Sequence, residues 1–556
     1  MLVISSTSGE KQCRKISKTK INKNLNIYIT EQPSAWKPLR NKLFLAVWLA
    51  TLASNIGTWM HSVGASWMMT SLNANPMMVA LVQTVSTAPI VLLALPAGAL
   101  ADISDRRRYL LGTQIWMFLS ALGLSFFTVQ GITTDWQLIG FTFLLGCGSA
   151  MSMPAWSAVT PELVPKKELQ AAITLNGLGM NVSRAIGPAI AGYLISLYGV
   201  ASVFFLNAVS FLAVIAVLVF WKRVPNENSL PAERFLAAIR SGLRYARFSS
   251  LLPSILMRGV AFFVFASALW ALLPILVSDR LHMGASIYGL LLACIGIGAV
   301  TCAVVLPLIR QRIRTDNLVR WSSLIYAGTL IILATQTNIY LLALAMLLAG
   351  ACWIGIMSSL QVAAQASLPD WVRARGLSVF MMVFMGGMAV GSLIWGYLAK
   401  RYGIESSFIT AAGGLLLGVL GTWRYSISGY ESVDFTPSQH WPLPIVDKAP
   451  QHDQGPVMVT IEYQVDNDKL SEFHTLISQL QKIRKRDGAY YWELYQDTAQ
   501  ADQYIECFMV ESWLEHLRQH DRVSVSDKAL QQKMSACLIT GSTKAINHYV
   551  ASRFTK

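Results

Sequence analysis

At 556 residues, with 54% hydrophobic and 13% charged content, the chain departs from the roughly 25% charged composition of a soluble domain and reads as a membrane protein. A net charge of +15 would suit nucleic acid, but the basic residues fall in short loops between apolar runs and in the first forty positions. That placement is topological charge and excludes a nucleic-acid partner. The seven cysteines lack metal-ligand spacing, so neither disulfides, a metal centre nor any other cofactor is expected.

Residues 1–42 form a basic arm bearing Lys11, Arg14, Lys15, Lys18, Lys20 and Lys23, without the apolar core of a secretory signal. Its composition predicts a disordered cytoplasmic segment. A membrane-spanning helix satisfies its own backbone polar groups and needs about 20 mainly apolar residues. Twelve such runs follow, near 43–70, 77–100, 109–131, 137–159, 170–197, 201–221, 252–277, 286–309, 317–335, 338–360, 375–399 and 405–424. They divide into a six-helix half over 43–221, a loop over 222–250, and a second half over 251–424.

Loops on one side of this parse hold seventeen Lys and Arg, among them Arg106, Arg107, Arg108, Arg310, Arg312 and Arg314; those on the other hold only Arg280, Lys400 and Arg401. Basic loops stay in the cytoplasm, so both termini are expected there. Within the 222–250 loop, Glu233 to Arg240 reads as an amphipathic helix lying on the inner leaflet. The halves show a faint repeat, with Pro161-Glu162-Leu163-Val164 echoed by Pro369-Asp370-Trp371-Val372 and Gly187 to Leu194 by Gly391 to Leu398. Two six-helix repeats are a transporter architecture whose substrate site lies near the midplane.

Beyond Trp423, a linker over 425–456 carries Pro437, Pro442, Pro444, Pro450 and Pro456, and 457–556 is polar enough to be a separate soluble domain. Strands over 457–465, 489–495, 504–511 and 542–550, with helices over 468–486, 513–520 and 527–536, give a ferredoxin-like α+β order.

Arg184 lies about 22 Å from either end of its helix, at 1.5 Å per residue. A charge there costs at least about 2.5 to 3.5 kcal/mol, so it faces a water-filled cavity or a partner. The spans offer little for a partner, since no Asp or Glu falls in their interior, and Arg258 sits near a helix end where it can snorkel. His61 is the one ionisable group in the spans that titrates near neutrality, and it reads either as a proton carrier or as a polar lining residue. Asn55, Gln83, Asn176, Asn181, Gln361 and Gln365 either line the cavity or bond neighbouring helices. A mildly positive cavity suits anionic or polar aromatic solutes. No nucleotide-binding Gly-rich loop is present, which argues against direct ATP drive.

Gly98-Ala99-Leu100-Ala101-Asp102 followed by Asp105, Arg106 and Arg107 resembles the loop motif of the major facilitator superfamily, although Ile103 and Asp105 stand where a basic residue and a glycine are common. Gly187-Pro188 with Gly192 resembles that superfamily's fifth-helix antiporter motif. With Asn55-Ile56-Gly57-Thr58-Trp59-Met60 and Pro154, residues 40–424 are similar to the subgroup containing enterobactin exporters and macrolide efflux proteins. The resemblance implies an all-α polytopic fold of twelve helices in a bacterial inner membrane. It implies proton-driven export of a siderophore, macrolide or other drug-like molecule, with Asp102 latching a cytoplasmic gate against the helix start near Gly376 to Ser378.

Phe508 to His520 resembles the antibiotic biosynthesis monooxygenase-like modules, which implies self-association through this domain. His516 and His520 are four apart, a spacing compatible with metal, but they read as packing of helix on sheet. The chain is thus expected to be a transporter and not an enzyme, acting on a small molecule and protons in the bilayer. A membrane-tethered sensor or cofactor-free oxidase, and an importer of the same fold, remain the alternatives.

Overall fold

The computed structural model describes residues 36–73, 75–221, 235–369, 371–429, 434–438, 440–441, 451, 454–539 and 545–552; the side chains at 94, 95, 99, 101–103, 158, 166 and 235–239 are outside that description. The basic arm before Trp36 is therefore outside it as well.

The membrane part is built from α1 (Lys42–Leu72), α2 (Pro76–Ile103), α3 (Arg106–Val129), α4 (Asp135–Leu163), α5 (Leu169–Tyr198) and α6 (Val200–Phe220). A shorter α7 (Phe235–Phe248) leads to α8 (Leu252–Ile275), α9 (Ala285–Arg312), α10 (Thr315–Thr335), α11 (Ile339–Ala366), α12 (Arg373–Tyr402) and α13 (Ile404–Gly421). Twelve of these are long enough to span, as expected, and eleven are also apolar enough. The exception is α5, the helix that carries Asn176, Asn181 and Arg184. A long helix that fails on polarity must turn those groups toward protein or water, since lipid satisfies neither.

Local sequence explains the helix ends. Asn41 caps α1 by accepting the Leu43 and Phe44 N–H groups, Asn75 and Pro76 open α2, and Thr134 with Gln137 forms a capping box at α4. Gly199 and Gly403 join α5 to α6 and α12 to α13 with nearly the same backbone, φ +78°, ψ 170° and φ +87°, ψ 163°. That region is open to glycine almost alone. Gly187 and Gly391 are separated by the same 204 residues as Gly199 and Gly403, so the faint sequence repeat is a structural one.

The halves meet chiefly along two helix pairs, α2 with α12 and α5 with α9. Small residues permit this. A Cβ on Gly289 would lie 2.6 Å from the Pro188 carbonyl oxygen, one on Gly192 would lie 2.8 Å from that of Ala285, and Gly296 sits against the Ala185 backbone. On the other seam Gly396 packs on Ala80 and Met77, and the Thr84 hydroxyl donates to the Ala389 carbonyl at 3.1 Å. With lipid tails as apolar as leucine, such backbone approach is a main source of cohesion between the halves.

The C-terminal domain comprises β1 (Val457–Gln464), α14 (Leu470–Asp487), β2 (Tyr491–Gln496), β3 (Gln503–Val510), α15 (Trp513–Arg522), α16 (Val525–Ser535) and β4 (Ile546–Val550). Its four-stranded sheet has the order β2-β3-β1-β4, with every pair antiparallel. Alternate residues of β1, from Val457 to Tyr463, are buried against the helical layer. The extra-membranous helix α7 is longer than expected, reaching Phe248, because Arg240, Arg244 and Tyr245 have partners in the folded chain.

Candidate functional site

The midplane of the bundle is an arginine beside a chain of aromatic rings. Arg184 on α5 places its guanidinium carbon 5.6 Å from the Trp59 ring centroid on α1, and its Nε has no hydrogen-bond partner. Trp59 lies 6.2 Å from Trp270 on α8, and Trp270 lies 5.5 Å from Trp353 on α11. The chain continues to Phe384 on α12, which is 6.1 Å from Trp353 and 4.5 Å from Phe263. Both halves therefore contribute to one aromatic cluster, whose Phe263 and Trp353 are buried in the core, and among the described residues no carboxylate pairs with Arg184. A cation next to π faces and unpaired donors favours an anionic or aromatic guest.

The polar residues singled out in the sequence distribute unevenly around it. Asn55 lies one helical turn from Trp59 on α1. Gln361 and Gln365 continue the Trp353 stripe of α11 at four-residue steps and are exposed. Asn181 donates to the Gly177 carbonyl of its own helix, and Asn176 donates to the Thr160 hydroxyl on α4. Gln83 is half-buried beside Thr84, which bonds across the seam. His61 is buried 5.1 Å from Phe204 on α6, and neither ring nitrogen has a partner. Two residues along a helix is about 200° of rotation, so His61 and Trp59 face opposite ways.

Gly187 packs on the Trp59 Cβ, and Pro188 and Gly192 form the close seam with Gly289. The described part of the 98–107 motif makes contacts within the first half. Asp105 caps α3 by accepting the Arg108 N–H, Arg106 meets Glu162 at 2.7 Å, and Arg107 donates to the terminal carbonyls of Leu218 and Val219 on α6. Gly98 has open space where a Cβ would lie, and Leu100 is exposed. The Asp102 side chain, on which the expected latch depends, lies outside the described residues.

One expectation is corrected. Arg258 does not snorkel; its Nη1 is 3.0 Å from Asp316 Oδ1, with both side chains buried. Asp316 also accepts the Ser426 hydroxyl and the Ile427 and Ser428 N–H groups, tying the chain beyond α13 to the second half. The sequence reading placed this carboxylate just outside its span, which began at 317. The α10 helix starts at Thr315 and brings it inside.

In the C-terminal domain, Glu506 is fully buried on β3 and accepts from Arg484 Nε at 2.9 Å, the Tyr463 hydroxyl at 2.7 Å and the Trp492 indole at 2.8 Å. Burial alone would raise its pKa, but the Arg484 charge and these bonds outweigh that and hold it below the usual carboxylate range. His516 and His520 on α15 are joined by His548 on β4, and their ligand nitrogens all lie within 4.8 Å of one another. Burial first, then the neighbouring groups, pushes His516 down to about 3 and His520 to about 4, and burial lowers His548. The rings are neutral at neutral pH. Sequence reasoning saw the helical pair and missed His548, which only strand pairing delivers.

This domain is docked on the membrane part. Arg240 and Arg244 of α7 pair with Glu511 and Glu515 at 2.7 and 3.1 Å, and the Arg486 guanidinium sits 5.8 Å from the Tyr245 ring. The Tyr245 hydroxyl donates to the Ser367 carbonyl, and Arg375 donates to the Ser241 hydroxyl, so α7 is clamped between the domain and the α11–α12 corner.

Comparison with known proteins comes to the same architecture. Residues 33–555 match a family described as transmembrane secretion effector, the C-terminal domain included. The chain is 26% identical over 360 residues to a staphyloferrin A transporter of Staphylococcus aureus, covering 64% of this chain and 88% of that protein. It is 24% identical to an Escherichia coli enterobactin exporter over 68% of this chain and 90% of that one. Its fold resembles a bacterial homologue of the lysosomal transporter Spinster in an inward-facing, unoccupied conformation (TM-score 0.54, 14% identity, 70% and 97% coverage) and a POT-family transporter bound to 5-aminolevulinic acid (TM-score 0.58, 13% identity, 69% and 96% coverage).

Proposed function

The chain belongs to the transmembrane secretion effector family of major facilitator transporters, and from that premise we propose that it exports a small anionic or polar aromatic molecule across a bacterial inner membrane. The observation that carries the reading is Arg184, held at the midplane beside Trp59 without a carboxylate partner among the described residues. Beyond that level the halves are also joined by Trp67 stacked on Tyr288 at 5.9 Å and by Gly192 against Gly289. Relatives named for staphyloferrin A and enterobactin favour a siderophore-like solute over a macrolide.

The cycle is rocking of the halves about the Gly-rich seam, with inward proton movement as the drive. Asp102 completes the gate when the cytoplasmic side closes. The C-terminal domain, ferredoxin-like in strand order, is accessory and reports on or pairs transporters without chemistry of its own. Everted membrane vesicles provide the test. A labelled catecholate or carboxylate siderophore accumulates under an acid-inside gradient, collapse of the gradient abolishes the accumulation, and accumulation indifferent to the gradient would remove proton coupling. An importer would show the opposite orientation of uptake.

A further inference from the structure

Three histidines converge in the cleft between α15 and the edge strand β4. His516 and His520 are one turn apart on one helical face, with their Nε2 atoms 3.3 Å from each other. His548 is the cross-strand neighbour of Val459, whose side chain is buried on the helix side of the sheet, so His548 points at the same cleft. Its ring centroid is 4.7 Å from that of His516. His516 is 1% exposed, and the Nδ1 atoms of His516 and His520 have no hydrogen-bond partner. Three polar rings in such a place are poor packing, since an apolar side chain of like volume would leave no unsatisfied donor or acceptor.

We propose that His516, His520 and His548 form a binding site for a late first-row divalent cation of the zinc class, with the fourth position left to water or a small ligand. Two nitrogens bound to one tetrahedral zinc at about 2.0–2.1 Å stand roughly 3.3–3.4 Å apart, which is the spacing the helical pair already has. All-imidazole donors suit zinc, copper or nickel and disfavour magnesium or calcium. Trp513 and Trp441 pack at 5.4 and 5.1 Å on His516 and His520, walling the cleft with apolar rings that keep the donors oriented and partly dry. The cation joins α15 to β4. That helix also bears Glu515, which holds Arg244 of α7, so the metal braces the surface by which the domain grips the membrane part.

The test uses the full chain, purified in detergent on a tag without histidines, stripped with chelator and titrated with cobalt(II) and zinc(II). One equivalent per chain binds, cobalt gives the visible spectrum of a tetrahedral nitrogen site, and zinc displaces it. His516→Ala, His548→Ala and the milder His520→Gln each weaken binding by more than about 100-fold, beyond what loss of a second-shell partner does, while circular dichroism and gel filtration stay as in the parent. Absence of a stoichiometric site overturns the proposal. So does binding that survives His548→Ala, which would leave only a helical pair. None of these readouts depends on transport, so the site stands or falls separately from the export reading.

Discussion

The Arg522 guanidinium lies 4.2 Å from the ring centroid of Trp371, so a residue of the soluble domain stacks on the corner that opens α12. Trp371 in turn meets Tyr245 of α7 edge-on at 5.8 Å. The helix that forms the inter-half seam with α2 is thus continuous with a docked domain outside the bilayer.

Trp371→Ala removes this stack and leaves the bonds of Arg522 to Glu515 and to the Asp487 carbonyl in place. A cation–π pair at a partly covered site contributes about 0.5–2 kcal/mol, so docking weakens by roughly 2- to 30-fold. Hydrogen exchange in α7 and α15 should rise while exchange within the β1–β3 ladder stays constant. Equal exchange in all three would show that the stack does not hold the domain.

Arg184→Ala should abolish substrate accumulation in everted vesicles at unchanged membrane abundance. Arg184→Lys keeps the charge but loses the planar group beside Trp59, and it should retain a fraction of transport. Full activity in the alanine variant would reassign Arg184 to structure.

Asp316→Asn leaves Arg258 buried with a weakened partner, and breaking such a pair costs about 3–5 kcal/mol. The detergent-solubilised protein should melt at lower temperature, and the segment around Ile427 should become accessible to protease. The double variant Arg258→Met with Asp316→Asn should recover part of the loss. A strictly additive double variant would contradict the pairing.

Glu506 gives the C-terminal domain an acid-sensitive core. A carboxyl whose folded pKa lies below its unfolded value stabilises fully above the unfolded value, near 4.3, and loses that contribution as pH falls through the folded one. Asp527, lowered by Arg486 and the Ser524 bonds against the raising effect of burial, acts in the same direction. Exchange protection of β3 should therefore begin to fall below about pH 6.5, where the unfolded chain takes up protons that the buried rings of His516, His520 and His548 resist, and the Glu506 and Asp527 contribution should be lost as a second step below about pH 5. Glu506→Gln should lower protection at pH 7 by about 3–5 kcal/mol and flatten this pH dependence. An unchanged acid profile would shift the source of the dependence elsewhere.

The sequence by itself determined the number of long helices, their division into halves and the element order of the terminal domain. These depend on local quantities: apolar length against bilayer thickness for the helices and residue alternation for the strands. It also picked out Arg184, because a central charge is costly wherever the helix turns. What it left open is which way each helix faces. Trp59 and His61 are two residues apart, and only packing sends one to Trp270 across the seam and the other to Phe204 inside the first half. Asp316 with Arg258, and His548 with His516, are joined by partners 58 and 32 residues distant. Such pairings leave no periodic trace in the chain, since their energy arises from desolvation and contact once the elements have been brought together.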